Sequence, residues 1–350
     1  MASNSIKNKS WMSVKEVGLI HFFVVLCVII SLAVGCAQKG ESGAAASQVR
    51  ATDARGVEIV LPRHAERVVV LFEPFVDEMY MLGAGDKLVG IPQQVYQNSS
   101  SYYYLSQLDP RIAKKSIATP TFGGRSTHVE KVISLQADLA IVYEYDIETI
   151  AQLEGLDIPV FVVSSKDKAH IYDELINVGK LIGKKERAED IVNYVNNAIE
   201  KIGSEVETVK KSVYYGWSKG RVFSTSGRGS LVDLAIQVAG AVNACPLEME
   251  APNVSAESIY KWNPDMIVLW NSDVEDVYRL AELAALPAVV NKQVFAMEPT
   301  FFFDPHTVKF LLFAKQLRHW GYQDYTTDQD FKDALQEIVD FLYEKKMSIE

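Results

Sequence analysis

The chain has 350 residues, 48% hydrophobic and 23% charged, with a formal net charge of −10. This is a globular composition with room for two lobes of ordinary domain size. The acidic balance argues against nucleic acid as a partner, and no Cys/His cluster has the spacing of a structural zinc site.

The first element is an export signal. Lys7, Lys9 and Lys15 precede an apolar run from Phe22 to Gly35, and Leu32-Ala33-Val34-Gly35-Cys36 resembles a bacterial lipobox. A basic head, a short apolar core and a small residue at the cut site describe a secretory signal. In a lipobox the cysteine becomes the new N-terminus and carries the lipid. Residues 1–36 are therefore expected to be a signal peptide with Cys36 lipidated, placing the rest on the extracytoplasmic face of the membrane. The alternative is an N-terminal transmembrane anchor, but the apolar run falls short of the roughly 20 residues needed to span a bilayer. The long head, with Glu16 inside it, leaves translation from Met12 open. Residues 37–48 contain Gly40, Ser42, Gly43 and Ala44-Ala45-Ala46-Ser47 and read as a flexible tether. With Cys27 in the signal and Cys36 lipidated, Cys245 has no partner and no intrachain disulfide is expected.

Residues 49–62 read as a hairpin. Asp53-Ala54-Arg55-Gly56 gives the turn, and Val57, Ile59 and Leu61 share one face until Pro62 ends the strand. Four continuous apolar runs then read as buried parallel strands: Arg67–Leu71, Leu88–Ile91, Leu139–Val142 and Pro159–Val163. Helices are expected from about Phe75 to Leu82 and from Val129 to Gln136, the second capped by Thr127 with Glu130 as in a capping box. Alternating strands and helices imply an α/β lobe with a parallel sheet.

From Lys168 to Ile202 apolar residues recur at mostly helical spacing, interrupted at Gly183, which reads as a spine linking two lobes. Strand signals resume at Ser212–Tyr215, Arg221–Phe223, Met266–Leu269 and Gln293–Phe295. Helices are expected at 230–239, 255–262, 277–285, 305–319 and 329–345. The chain thus divides into an N-terminal α/β lobe over 49–167, a connecting helix over 168–204 and a C-terminal α/β lobe over 205–350. The fold class is α/β, with two Rossmann-like lobes joined by a long helical spine.

These segments resemble the class III substrate-binding proteins of ABC importers, which serve iron–siderophore, haem and vitamin B12 uptake. The resemblance covers nearly all of the mature chain. Arg67–Leu71 followed by Glu73-Pro74 is similar to the family's first strand and loop. Val129-Glu130-Lys131-Val132 with Leu135-Gln136-Ala137-Asp138-Leu139-Ala140-Ile141 resembles its recurring helix–strand segment, with Ala137 where the family usually has Pro. The second lobe repeats it in Val254–Ile259 and Trp262-Asn263-Pro264-Asp265-Met266-Ile267-Val268. Thr225–Ser230, Ala239–Asn243 and Leu312–Leu317 resemble further second-lobe segments.

The resemblance implies a ligand cleft between the lobes, lined by loops at the strand ends, in agreement with the rule for parallel sheets. The first-lobe candidates are Glu73, Pro74, Phe122, Gly123, Gly124, Arg125, Tyr143 and Tyr145. In the second lobe they are Trp217, Ser226, Arg228, Trp270, Phe301, Phe302, Asp304 and His306. Aromatic rings supply contact area at modest entropic cost, and arginine offers a planar fork to anionic groups. Arg125 and Arg228, one from each lobe, are expected to clamp an anionic ligand. Plainer roles compete: Phe301-Phe302-Phe303 also reads as core packing, Arg125 as a solvated loop charge, and His306 as helix-start packing after Asp304-Pro305. Tyr143 and Tyr145 could coordinate ferric iron, although strand-end tyrosines are common.

Glu130 and Glu257 occupy similar places near two helix starts, where capping or a favourable interaction with the helix dipole is the plain role. The resemblance implies that these two residues dock the loaded protein on arginines of the permease. It also implies an ABC permease and its ATPase as partners, a monomeric receptor, and no cofactor beyond any iron carried by the ligand. A siderophore is the first expectation for that ligand, then corrinoid or haem, then an oxyanion such as molybdate; a sensor built on the same scaffold stays open. The chain has no Gly-x-Ser-x-Gly elbow, no His-Glu-x-x-His and no Walker loop, so an enzyme is not expected.

Overall fold

The computed structural model describes residues 48–122, 126–203, 209–217, 219–345 and 347–349. The expected signal peptide with Cys36, the expected tether up to Ser47, and Gly123, Gly124 and Arg125 lie outside the described residues. Residues 48–350 form one compact unit, and no helix among the described residues is long and apolar enough to cross a membrane.

The chain opens with the antiparallel hairpin β1 (Val49–Thr52) and β2 (Glu58–Leu61). Buried Asp53 organises its turn, accepting from the amides of Arg55 at 2.9 Å and Val57 at 3.0 Å. Four strands then build the first sheet: β3 (Val68–Val70), β4 (Leu88–Gly90), β7 (Leu139–Tyr143) and β8 (Val160–Val163), in the order β4-β3-β7-β8 and parallel throughout. Their continuous apolar runs arise because both faces of the sheet are covered. Helix α1 (Glu73–Met81) follows β3. After β4 come three helices with no clear signal in the apolar pattern: α2 (Gln94–Gln97), α3 (Ser99–Leu108) and α4 (Pro110–Ala113). Asn98 and Asp109 cap α3 and α4 with their side chains.

The short pair β5 (Thr121–Phe122) and β6 (Ser126–Thr127) precedes α5 (Val129–Ser134). Thr127 is not the cap expected of it. Its backbone pairs with Thr121, and α5 starts after His128 without a side-chain cap. Helix α6 (Ile147–Glu154), capped by Asp146, joins β7 to β8.

The single connecting helix expected over 168–204 is two helices, α7 (Lys168–Leu181) and α8 (Lys185–Gly203). Gly183 adopts φ +74°, a conformation that breaks a right-handed helix and suits glycine. The chain folds back so closely that a Cβ on Gly179 would lie 2.9 Å from Ala188 Cβ. Helix α7 packs on β1 and β8, and α8 packs on helices of the second lobe.

The second sheet mirrors the first. Strands β9 (Ser212–Gly216), β10 (Val242–Asn243), β11 (Met266–Trp270) and β12 (Val294–Met297) run parallel in the order β10-β9-β11-β12. Helix α9 (Leu231–Val238) precedes β10, and α10 (Ala256–Trp262), capped by Ser255, precedes β11. Arg221–Phe223 is not a strand. Lys219 and Gly220, both at positive φ, turn the chain, and Val222 is buried with its carbonyl accepting from Tyr214 Oη at 2.7 Å. The helix expected at 277–285 is a four-residue α11 (Glu275–Tyr278) followed by a 3₁₀ turn. Beyond the short α12 (Pro287–Val290), the chain ends in α13 (Phe310–Tyr322) and α14 (Asp328–Tyr343).

One apolar core runs through both lobes and the α7–α8 pair, with smaller clusters on the outer face of each sheet. The lobes also meet through a buried polar cluster. Lys309 Nζ lies 2.6 Å from Asp77 on α1 and bonds the Phe301 carbonyl, while Tyr343 Oη donates to Asp77 at 2.7 Å.

Candidate functional site

In each sheet the strand order reverses beside the first strand, between β3 and β7 in one lobe and between β9 and β11 in the other. Loops at the carboxyl ends of such strands diverge and leave a crevice. Both crevices carry an aromatic pair. Phe72 stacks on Tyr143 with ring centroids 4.4 Å apart, and Trp217 meets Trp270 edge-on at 6.4 Å. Between the lobes a cleft of about 280 Å³ is lined by Tyr145, Ser165 and Lys166 from the first lobe. From the second come Trp217, the 226–232 segment, Glu248 to Glu250, and His306.

The 226–232 segment is shaped by local chemistry. The amides of Gly227 and Arg228 donate to the carbonyls of Met249 and Leu247 at 2.9 and 2.7 Å, which straps this loop to the 247–250 loop. A side chain at 227 does not fit, since its Cβ would lie 2.0 Å from the Leu247 oxygen. Gly229 then turns at φ +80°, and Ser230 caps α9 by accepting from the Asp233 amide at 3.1 Å. The N-terminus of α9 therefore opens onto the cleft, a favourable setting for electron-rich ligand atoms. Ser226 is buried, and its Oγ makes no hydrogen bond within the described residues. The exposed Arg228 guanidinium pairs with no carboxylate among them.

Trp217 is fixed by its indole N–H, which donates to the Thr225 carbonyl at 2.8 Å. The ring of His306 is fixed by Asp304 Oδ1, 2.9 Å from Nδ1. Burial works to lower the imidazole pKa, but the hydrogen bond and the charge of Asp304 outweigh it and raise the value. The same pairing overcomes burial at Asp304 and holds its carboxyl below the usual range. On the opposite wall Lys166 lies 2.8 Å from Glu144. The loop below it hangs on buried Glu174, which accepts from the amides of Ser164 and Ser165 at 2.7 and 3.1 Å.

The structure thus brings Tyr145, Trp217, Ser226, Arg228 and His306 together in one cleft. Trp270 stands behind Trp217, and Tyr143 stands behind Tyr145 at 5.2 Å. Several other expected residues that the structure describes lie elsewhere. Phe301 and Phe302 are buried in the lobe junction, packed on Tyr104 with centroids at 5.2 and 4.5 Å. Glu73 accepts from Ser101 Oγ at 2.6 Å in the same junction, with burial raising its pKa, and Pro74 occupies the first turn of α1 beside it. Phe122 ends β5. Glu130 and Glu257 are exposed in the first turns of α5 and α10, the helices that precede the corresponding strands β7 and β11.

Ser165, Lys166, Glu248, Met249 and Glu250 line the cleft without having been expected there. The acidic run Glu248-Met249-Glu250 was the available signal in the sequence.

A family profile described as Periplasmic binding protein matches residues 68–300. Among curated proteins of Bacillus subtilis (strain 168), the chain is 24% identical over 257 residues to the uncharacterized ABC transporter substrate-binding lipoprotein YvrC, covering 71% of this chain and 77% of that one. It is 26% identical over 311 residues to the iron(3+)-hydroxamate-binding protein FhuD, covering 81% and 91%. A crystal structure of a periplasmic solute-binding protein from Veillonella parvula DSM 2008 superposes with a TM-score of 0.72 at 21% identity, over 86% of this chain and 94% of that one. These relatives are solute-binding proteins rather than enzymes. The chain belongs to the periplasmic binding protein family, as a class III substrate-binding component of an ABC transporter.

Proposed function

We propose that this protein is a lipid-anchored receptor that captures an iron chelate of the siderophore class in the interlobe cleft and delivers it to an ABC permease and its ATPase. The observation that carries this reading is the cleft itself. Both lobes line it, Trp217 and Tyr145 supply aromatic faces, and among the described residues the Arg228 guanidinium pairs with no carboxylate and the buried Ser226 hydroxyl has no partner. Apolar walls with a few placed polar groups are the general build of a small-molecule site. The iron-chelate assignment draws on the similarity to FhuD. The anchor rests on the lipobox at Cys36, and the lipoprotein YvrC supports it.

The test is a titration of intrinsic tryptophan fluorescence on the chain from Gln48 onward, against ferric hydroxamate and catecholate chelates, haem, cobalamin and molybdate. One class of ferric chelate should quench Trp217 saturably, and Arg228→Ala should weaken that binding about tenfold or more. Saturable binding of haem, cobalamin or molybdate alone would replace the iron-chelate reading, and silence toward the whole panel would remove it.

A further inference from the structure

Among its described residues the cleft carries, beside Arg228, an acidic pair that was not expected from the sequence. Glu248 and Glu250 stand at its mouth, both exposed. Their loop is tied down by the straps from Gly227 and Arg228 and by a third from the Thr225 amide to the Pro252 carbonyl at 3.0 Å. These ties hold the backbone that carries the two carboxylates. Lys166 is already paired with Glu144, and His306 with Asp304. Among the described lining groups and their immediate partners, the permanent cations are therefore Lys166 and Arg228. The carboxylates are Glu144, Glu248, Glu250 and Asp304. With Lys166 set against Glu144 and a protonated His306 against Asp304, Arg228 is left facing Glu248 and Glu250, and a neutral His306 adds the charge of Asp304 to that acidic excess.

We propose that Glu248 and Glu250 act as a charge filter, so that the cleft accepts iron chelates of zero or positive net charge and turns away polyanionic ones. This rests on the iron-chelate reading above. The chemistry of the chelates makes the distinction sharp. In a ferric trihydroxamate the three singly charged ligands cancel the charge of the metal. In a ferric tricatecholate the six phenolate charges exceed it and leave the complex a trianion. Bringing a trianion against these carboxylates is repulsive, and repulsion of the wrong partner is an effective source of specificity. The charge of Glu250 is felt on both walls. After burial, it is the main influence raising the Tyr143 hydroxyl pKa in the first lobe. In the second lobe it adds to the raised pKa of His306, where burial acts the other way and Asp304 contributes most of the rise.

Equilibrium dialysis of the chain from Gln48 against a ferric trihydroxamate and a ferric tricatecholate tests this, with wild type compared with the double variant Glu248→Gln/Glu250→Gln. Wild type should bind the trihydroxamate more tightly. The double variant should gain about tenfold or more in affinity for the tricatecholate relative to the trihydroxamate. Because both carboxylates are exposed, the wild-type preference should narrow as salt is raised. Glu186→Gln, an exposed carboxylate outside the cleft, controls for total charge and should shift neither affinity. A tighter wild-type complex with the tricatecholate, or a double variant with unaltered preference, overturns the filter and leaves the iron-chelate reading standing. Retention of neither chelate by wild type overturns both.

Discussion

Gly227 stands where two loops come within hydrogen-bonding distance, and nothing larger than hydrogen fits between it and the carbonyls of Leu247 and Met249. Gly227→Ala should force the loops apart, lower the unfolding free energy by about 1–3 kcal/mol and weaken ligand binding, both readable from urea unfolding and the tryptophan titration. A variant with wild-type stability and affinity would show that the straps do not shape the cleft. At this scale the sequence was informative where a residue's chemistry is needed whatever its surroundings. Trp217, Arg228 and His306 were named from the sequence because ring, guanidinium and imidazole suit a binding site, and the structure places all three on one cleft. Phe301 and Phe302 were misplaced for the same reason. A ring suits a cleft and a core equally, and only the packing of Tyr104 against them decides. Glu248 and Glu250 escaped notice because they reach the cleft through backbone straps formed between distant parts of the chain.

Among the elements, the buried strands were the most legible, since a strand covered on both faces must be apolar throughout. The one failure, Arg221–Phe223, shows the limit of that signal: a short apolar run can also plug a turn, and Gly220 was the available warning. The break between α7 and α8 was visible at Gly183, but the close return of α8 onto α7 depends on Gly179 meeting Ala188 in space. Helices α5 and α10 occupy equivalent places in the two lobes, and each exposes a glutamate, Glu130 and Glu257, in its first turn. If these dock the receptor on permease arginines, Glu130→Lys with Glu257→Lys should abolish uptake of the iron chelate by cells. Ligand affinity of the purified double variant should stay unchanged. Transport at the wild-type rate would exclude the docking role.

At the scale of the whole molecule, the lobe junction is held by a buried ionic contact as well as by the shared core. Burial pushes the Asp77 carboxyl pKa upward, against the pull of Lys309 and the hydroxyl of Tyr343. Removing the cation should therefore be costly. Lys309→Met should lower the unfolding free energy by about 3 kcal/mol, and adding Asp77→Asn should restore part of the loss, giving a coupling measurable by a double-mutant cycle in urea. Strict additivity of the two changes would show that the contact contributes nothing beyond its separate parts. The core that passes unbroken beneath both sheets has one more consequence. A receptor built this way is closer to a cupped hand with fused knuckles than to a jaw. Cargo then meets a palm whose two halves share one core, so that capture calls for little travel of either half.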